Sequence, residues 1–259
     1  MASPSEPALL AVMQPYFFPY IGYFQLVARS DLFVFYDDVQ FARNSRSGWM
    51  NRNAILLNGA PHWLTYPISK GHQLELIRER RYRAADEDRQ KVRNLLTSAY
   101  RRAPNFAPVF ALVEEILEFP DVRVGAFNAN LVERLAQYLG LTTRFMSSSD
   151  LAYDRERKGP ERILAICEAL GARAYVNAIG GMELYDPVLF EARGVELRFL
   201  RPAVRPYRQF GEGFVPNLSI IDVLMFCPAD EVRAMLAEHE LIAGDGAANS
   251  RTEPSAVTS

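Results

Sequence analysis

Apolar and polar positions along the chain alternate between short buried runs and helical stripes. Ala8 to Met13 is an unbroken apolar run of strand length, and Tyr20, Tyr23, Phe24 and Val27 then recur at the i, i+3, i+4, i+7 spacing of a helix. Pro19 suits the first helical position, where its missing N–H costs nothing, and the helix start leaves free amide donors facing the turn, an arrangement that favours an anionic ligand. Leu32 to Tyr36 reads as a second buried strand, ending in Asp37 and Asp38. Parallel neighbours of this kind present their chain ends along one edge, where ligands bind in open α/β sheets.

Beyond Trp49 the pattern changes. Ala54 to Leu57, His62 to Tyr66 and Leu74 to Ile77 read as short strands punctuated by Asn58-Gly59 and Lys70-Gly71, a hairpin-rich flap over about residues 48–80. Three apolar stripes follow, centred on Val92/Leu96, Val109/Leu112/Ile116 and Phe127/Leu131/Leu135, and they predict a helical insertion over about residues 85–140, closed by Gly140. Strand and helix then alternate again: Thr143 to Ser147, Pro160 to Leu170, Ala174 to Asn177, Pro187 to Ala192 and Val195 to Leu200, with Gly171 and Gly194 as helix stops. Ser219 to Phe226 and Asp230 to His239 read as terminal helices. The expected fold is α/β, Rossmann-like, with a mainly parallel sheet, the flap and the insertion in one domain over residues 8–243. The polar stretches 1–7 and 244–259 read as disordered tails.

At 49% hydrophobic and 12% aromatic residues the 259-residue chain can bury a full core, and a formal charge of -2 argues against a general nucleic-acid binder. Arg78, Arg80, Arg81 and Arg83 are followed at once by acids at 86–88, as in a solvated connection. Cys167 and Cys227 are too few for a disulfide framework or a metal cage, and His62, His72 and His239 lack metal-ligand spacing, so no metal site is expected. No apolar run approaches the length of a membrane span, and the start of the chain lacks a leader pattern, so the expected location is the cytoplasm.

The candidate chemistry begins with Gln14, Tyr16, Tyr20 and Tyr23, whose amide and hydroxyls stand at the turn between first strand and helix. Tyr20-Ile21-Gly22-Tyr23 occupies the place where nucleotidylyltransferases carry a His-x-Gly-His element, but tyrosine cannot supply the imidazolium charge; packing at the core edge is the other reading of these rings. Asp37 and Asp38 are adjacent on an extended segment, so only one can face a given site, as a general base or as a sugar or cation ligand; a turn with a capping carboxylate is the alternative. Asn51, Arg52 and Asn53, beside Trp49, offer a planar cation, two amides and an aromatic platform, though one surface ion pair at Arg52 would explain as much. Lys70 stands in a turn as an anion contact or a solvated side chain. Asn177 with Gly180 and Gly181 follows a strand and permits close approach of a ligand or a plain tight turn. Asn217 and Ser219 begin a helix, where Ser219 and Asp222 match a capping box and free amides there could also take a phosphate.

The stretches MQPYFFPYIGYFQL at 13–26, DLFVFYDDVQF at 31–41, GWMNRNAIL at 48–56, NAIGGMELYD at 177–186 and FVPNLSIIDVLMF at 214–226 resemble the WbqC-like family, found among bacterial genes for O-antigen and other surface polysaccharides. The resemblance covers nearly the whole chain. Together with the site chemistry it implies a transferase that acylates or aminoacylates an activated amino sugar in surface-glycan or related glycoconjugate synthesis. Its partners would be a nucleotide-sugar or acyl-donor small molecule and an acyl carrier protein; no cofactor follows from the residues. A non-catalytic nucleotide-sugar binding or assembly protein and a divergent nucleotidylyltransferase-like enzyme are the alternatives. A single cleft is expected to gather Gln14, Tyr20, Asp37, Asn53, Asn177 and Ser219, with Arg52 holding the anionic part of the substrate.

Overall fold

The computed structural model describes residues 8–41 and 45–244, with the side chains of 45–47 outside that description. The tails expected at 1–7 and 244–259 lie outside the described residues, apart from Gly244. Strands β1 (Leu10–Met13) and β2 (Leu32–Phe35) flank helix α1 (Ile21–Arg29). A hairpin of β3 (Arg52–Leu57) and β4 (Ala60–Thr65) precedes three helices, α2 (Asp86–Tyr100), α3 (Phe106–Leu117) and α4 (Val124–Tyr138). Then come β5 (Arg144–Ser147), α5 (Gly159–Leu170), β6 (Ala174–Ala178), α6 (Pro187–Glu191), β7 (Glu196–Pro202), α7 (Ile220–Phe226), α8 (Ala229–Leu236) and β8 (His239–Ala243). Six strands form one sheet in the order β5-β2-β1-β6-β7-β8, parallel except for β8.

The apolar runs of β1 and β2 exist because both faces of the sheet are covered. Ala11, Phe33 and Phe35 pack on the side of α1, α7 and the helical insertion, whereas Leu10, Val12, Leu32 and Val34 pack with Ile163, Ile166 and Phe190 on the side of α5 and α6. The chain leaves β1 toward β2 on one side and returns to place β6 on the other, so the strand order reverses between β1 and β6. At such a switch point the crossover helices diverge and leave a crevice at the carboxyl ends of the strands.

Four expectations need correction. Leu74 to Ile77 is no strand: among the described residues one isolated bridge, Gln40 to Leu76, is its only ladder contact. The β3–β4 hairpin turns through Asn58 and Gly59, both at positive φ (52° and 77°), but it is no cover over the site, because Ile55 and Leu64 on its inner side are buried in the main core. The final segment is a strand, since α8 stops at Leu236 and His239–Ala243 returns along β7, pairing Pro202 with His239 and Arg198 with Ala243. Pro19 also lies outside its helix; Tyr20 is the extended residue before α1, and the Pro19 carbonyl accepts from the N–H of Ile220 (2.8 Å).

The hairpin, the insertion and the C-terminal helices meet at Asp222, which is fully buried. Its carboxylate accepts from the hydroxyls of Tyr100 (2.7 Å) and Tyr207 (2.6 Å) and from Gln209 Nε2 (2.7 Å), while the Tyr100 oxygen accepts from the N–H of Leu56 (2.9 Å). The expected capping box is therefore half formed: Ser219 Oγ accepts from the N–H of Ile221 (3.2 Å), but Asp222 turns inward. Burial pushes the Asp222 carboxyl above the usual range, with the three donors opposing. Asp222→Ala should leave the Tyr100 and Tyr207 hydroxyls without their acceptor, while Gln209 keeps the Val215 carbonyl, and lower the unfolding free energy by about 3 kcal/mol, read as a fall in the urea midpoint.

Candidate functional site

The site begins with a loop whose backbone is forced into an unusual shape. Gln14 to Pro19 must turn from the end of β1 to the start of α1, and Phe18 does so at φ 42°, in the left-handed region that a bulky side chain rarely adopts. Strain of this kind is of order 1–3 kcal/mol and persists only where surrounding contacts fix it. The contacts are buried polar side chains from three distant segments. Asn53 Nδ2 donates to the Phe18 carbonyl (2.8 Å), as does Ser219 Oγ (2.9 Å), and Asn128 Nδ2 donates to the carbonyls of Pro15 (3.0 Å) and Met50 (2.8 Å). The Tyr82 hydroxyl closes the network against Met50 O and Asn128 Oδ1, and the N–H of Phe17 donates to the Trp49 carbonyl (2.8 Å).

With Phe17 and Phe18 anchored in the core, the alternate rings of the loop face outward into the β1/β6 crevice. A cleft of about 400 Å³ opens there, walled by Gln14, Tyr16, Tyr20 and Tyr23 on the β1–α1 side and by Asn177, Gly180 and Gly181 on the β6 side. Tyr36, Leu184 and Tyr185 complete it, over an apolar floor that includes Val12, Leu26 and Ile163. The Tyr23 hydroxyl donates to the Gln14 carbonyl (3.0 Å), and the Tyr16 and Tyr23 rings are 5.5 Å apart. Gly181 lets the Asn177 amide lie close against the backbone, since an added Cβ would stand 2.7 Å from Asn177 Nδ2. Burial raises the phenol pKa of Tyr16, Tyr20, Tyr23, Tyr36 and Tyr185, so all five stay protonated near neutrality and act as hydrogen-bond donors. The wall holds no carboxylate, imidazole, ammonium or guanidinium among the described residues.

Seven expected residues thus share the cleft: Gln14, Tyr16, Tyr20, Tyr23, Asn177, Gly180 and Gly181. Asn53 and Ser219 stand behind it, holding the loop from the core side. Asn51 is tied back through Nδ2 to the Tyr66 carbonyl (3.2 Å), and Arg52 lies on the outer face of the hairpin with its guanidinium 4.7 Å from the Trp63 ring centre. Strand alternation explains the split, because neighbours on β3 point to opposite faces. Lys70 and Asn217 are exposed and outside the wall, Asn217 in a left-handed turn at φ 60°. Tyr36 and Tyr185 were missing from the expected set. Tyr36 is the first residue past β2, a position legible as strand end, whereas the loop carrying Tyr185 offers no signal that it folds back over β6.

The acids lie elsewhere than expected. Past Phe35 the chain leaves the strand, so Asp37 and Asp38 do not alternate, and both reach the buried Ser148 Oγ (3.2 and 2.7 Å). Neither is part of the cleft wall. Asp38 accepts from the Tyr153 hydroxyl (2.8 Å) and Arg155 Nε (2.9 Å) and pairs with Arg162 (3.2 Å). Burial opposes its charge, but these hydrogen bonds and Arg162 outweigh it and hold the Asp38 carboxyl below the usual range. Asp37 accepts from Ser149 N–H (3.0 Å) and Oγ (2.9 Å), and burial, aided by repulsion from Asp38, raises its carboxyl. Arg162 also lies 5.4 Å from the centre of the Tyr36 ring, so the Asp38 cluster buttresses one cleft wall from behind. Among the described residues no helix is long and apolar enough to cross a membrane, and no three His, Cys, Asp or Glu side chains converge as metal ligands would.

The model of the WbqC-like protein family matches residues 14–234, a span that holds all of the cleft lining except Val12 and Met13. An uncharacterized protein of Mycobacterium tuberculosis is 30% identical over 218 residues, 83% of this chain and 92% of that one. No solved structure matches.

The two acids should respond oppositely to neutralisation. Asp38→Asn leaves Arg155 and Arg162 without their buried carboxylate and should cost about 3 kcal/mol at pH 7, whereas Asp37→Asn removes a repulsion, keeps an acceptor for Ser149 and should cost less than about 1 kcal/mol. Because the folded-state pKa of Asp38 is depressed, its contribution is present above the unfolded carboxylate pKa of about 3.9 and is lost as the pH falls toward the folded value. Urea unfolding at pH 7 and at about pH 3, below the unfolded carboxylate pKa, should show the gap between the two variants shrinking in acid.

Proposed function

This chain belongs to the WbqC-like protein family, and from that premise we propose that it is a transferase acylating or aminoacylating an activated amino sugar in surface-glycan or related glycoconjugate synthesis. The observation that carries the reading is the cleft at the β1/β6 switch point, with five protonated phenols, two carboxamides and no charged side chain in its wall. A sugar ring suits such a surface: its C–H faces pack on aromatic rings, and its hydroxyls exchange hydrogen bonds with amides that both donate and accept, here Gln14 and Asn177. In acyl transfer the sugar amine attacks the acyl carbon, and the carbonyl oxygen becomes an oxyanion. Phenol hydroxyls aimed at that oxygen stabilise it. The N–C bond forms as the C–S bond of an acyl thioester breaks, and the amine proton passes through solvent to the departing thiolate. Asp37 and Asp38 have no part in this reading, since neither belongs to the wall.

A non-catalytic nucleotide-sugar binding protein is the second reading, favoured by the same absence of an acid or base. Nucleotidyl transfer draws less support, because it needs a cation to neutralise the migrating phosphoryl group and the wall offers none.

Thermal unfolding with UDP-glucosamine and UDP-N-acetylglucosamine tests the cleft, since a ligand at a hundred times its Kd adds about 2.7 kcal/mol to stability. Both should raise the melting temperature, and Asn177→Ala should weaken binding by roughly three- to tenfold, the value of one neutral hydrogen bond. Mass spectrometry of UDP-glucosamine incubated with acetyl-CoA separates the readings: an N-acyl product marks a transferase, and tight binding without product marks a binder. No stabilisation by either sugar would remove the cleft from the account.

A further inference from the structure

The cleft wall carries no cation, yet an activated sugar carries phosphate. The outer face of the β3–β4 hairpin holds what the cleft lacks. Arg52 and Trp63 are diagonal neighbours there, Arg52 opposite Thr65 and Trp63 opposite Ala54, and the guanidinium lies over the Trp63 ring at 4.7 Å. From the other side it rests on Gly48, where an added Cβ would meet its nitrogens at 2.8–2.9 Å. Thus Arg52 is held flat between a ring and a backbone, and among the described residues no carboxylate pairs with it. Trp63 remains 48% exposed and Trp49 stands 5.8 Å away, so an aromatic surface is left open beside the guanidinium. One backbone hydrogen bond links this patch to the cleft loop: the carbonyl of Trp49, next to Gly48, accepts from the N–H of Phe17 (2.8 Å), the neighbour of cleft-lining Tyr16.

We propose that Arg52 and Trp63 form a second subsite that takes the nucleoside diphosphate end of the substrate whose sugar enters the cleft. The assignment rests on the sugar-nucleotide reading above. The guanidinium fork receives two phosphate oxygens at once, and the exposed tryptophan face stacks the base. A lysine in place of Arg52 would keep the charge and lose both the fork and the stacking.

The chain has two tryptophans, and both lie in this patch, so their fluorescence reports the subsite directly. Titration of the full-length protein with UDP and ADP should quench the signal. Arg52→Lys should weaken either ligand about ten- to a hundredfold, and Gly48→Ala, which pushes the guanidinium off its seat without altering charge, should weaken it in the same direction. Trp63→Phe should weaken UDP while Trp49 still reports. Equal UDP and ADP dissociation constants in wild type and Arg52→Lys, or no quenching by either nucleotide, would overturn the subsite. Failure of the cleft looks different: UDP would bind through Arg52, but UDP-glucosamine would bind no more tightly than UDP, and Asn177→Ala would change neither.

Discussion

The carbonyl of Phe18 is the point on which the site depends. A left-handed phenylalanine is unfavourable in isolation, and here it is held by two donors, Asn53 Nδ2 and Ser219 Oγ, that arrive from the hairpin and from the start of α7. The twist at this residue turns Phe17 and Phe18 into the core and leaves Tyr16 and Tyr20 facing the crevice. A buried carbonyl without a partner is costly, so each of the loop's inward carbonyls selects a polar side chain on the element packed against it. The polar residues inside this core are therefore part of the cleft's construction even though no ligand would touch them.

The same logic divides the hairpin's labour. Its inner face contributes Asn53 and apolar side chains that stiffen the loop, and its outer face carries Arg52 on Trp63. Alternation along a strand makes both roles available from consecutive residues. The Asp38 cluster does for Tyr36 what Asn53 does for Phe18, with Arg162 fixed by a carboxylate on one side and lying over the ring on the other.

Much of the scaffold was legible in the sequence because its signals are local. Doubly buried strands such as Leu32 to Phe35 are continuous apolar runs, and helix stops such as Gly171 at φ 62° mark their own conformation. The edge strand His239–Ala243 escaped because a half-exposed strand following a helix has no apolar run to announce it. At the site, the residues of the strand-turn-helix stretch and of the loop after β6 were found because topology alone puts them at one edge. Asn53 and Ser219 look like ligand contacts in sequence, since a side chain that serves a buried carbonyl and one that serves a substrate are chemically identical. Asp37 and Asp38 misled for another reason: the alternation rule holds only while the strand lasts, and the strand ends at Phe35.

The bracing of the loop also fixes when the site can exist. Ser219 is 201 residues from Phe18, Asn128 is 113 from Pro15, and the Gln25 amide on α1 is anchored against carbonyls of Ala203, Met235 and Glu238, up to 213 positions away. On the ribosome the first strand and its loop emerge long before any of these partners, and contacts of such separation form late because the chain entropy must be surrendered first. The aromatic-rich stretch from Met13 to Phe24 thus spends most of translation without the groups that hold it, and takes its braced shape only when α7 arrives.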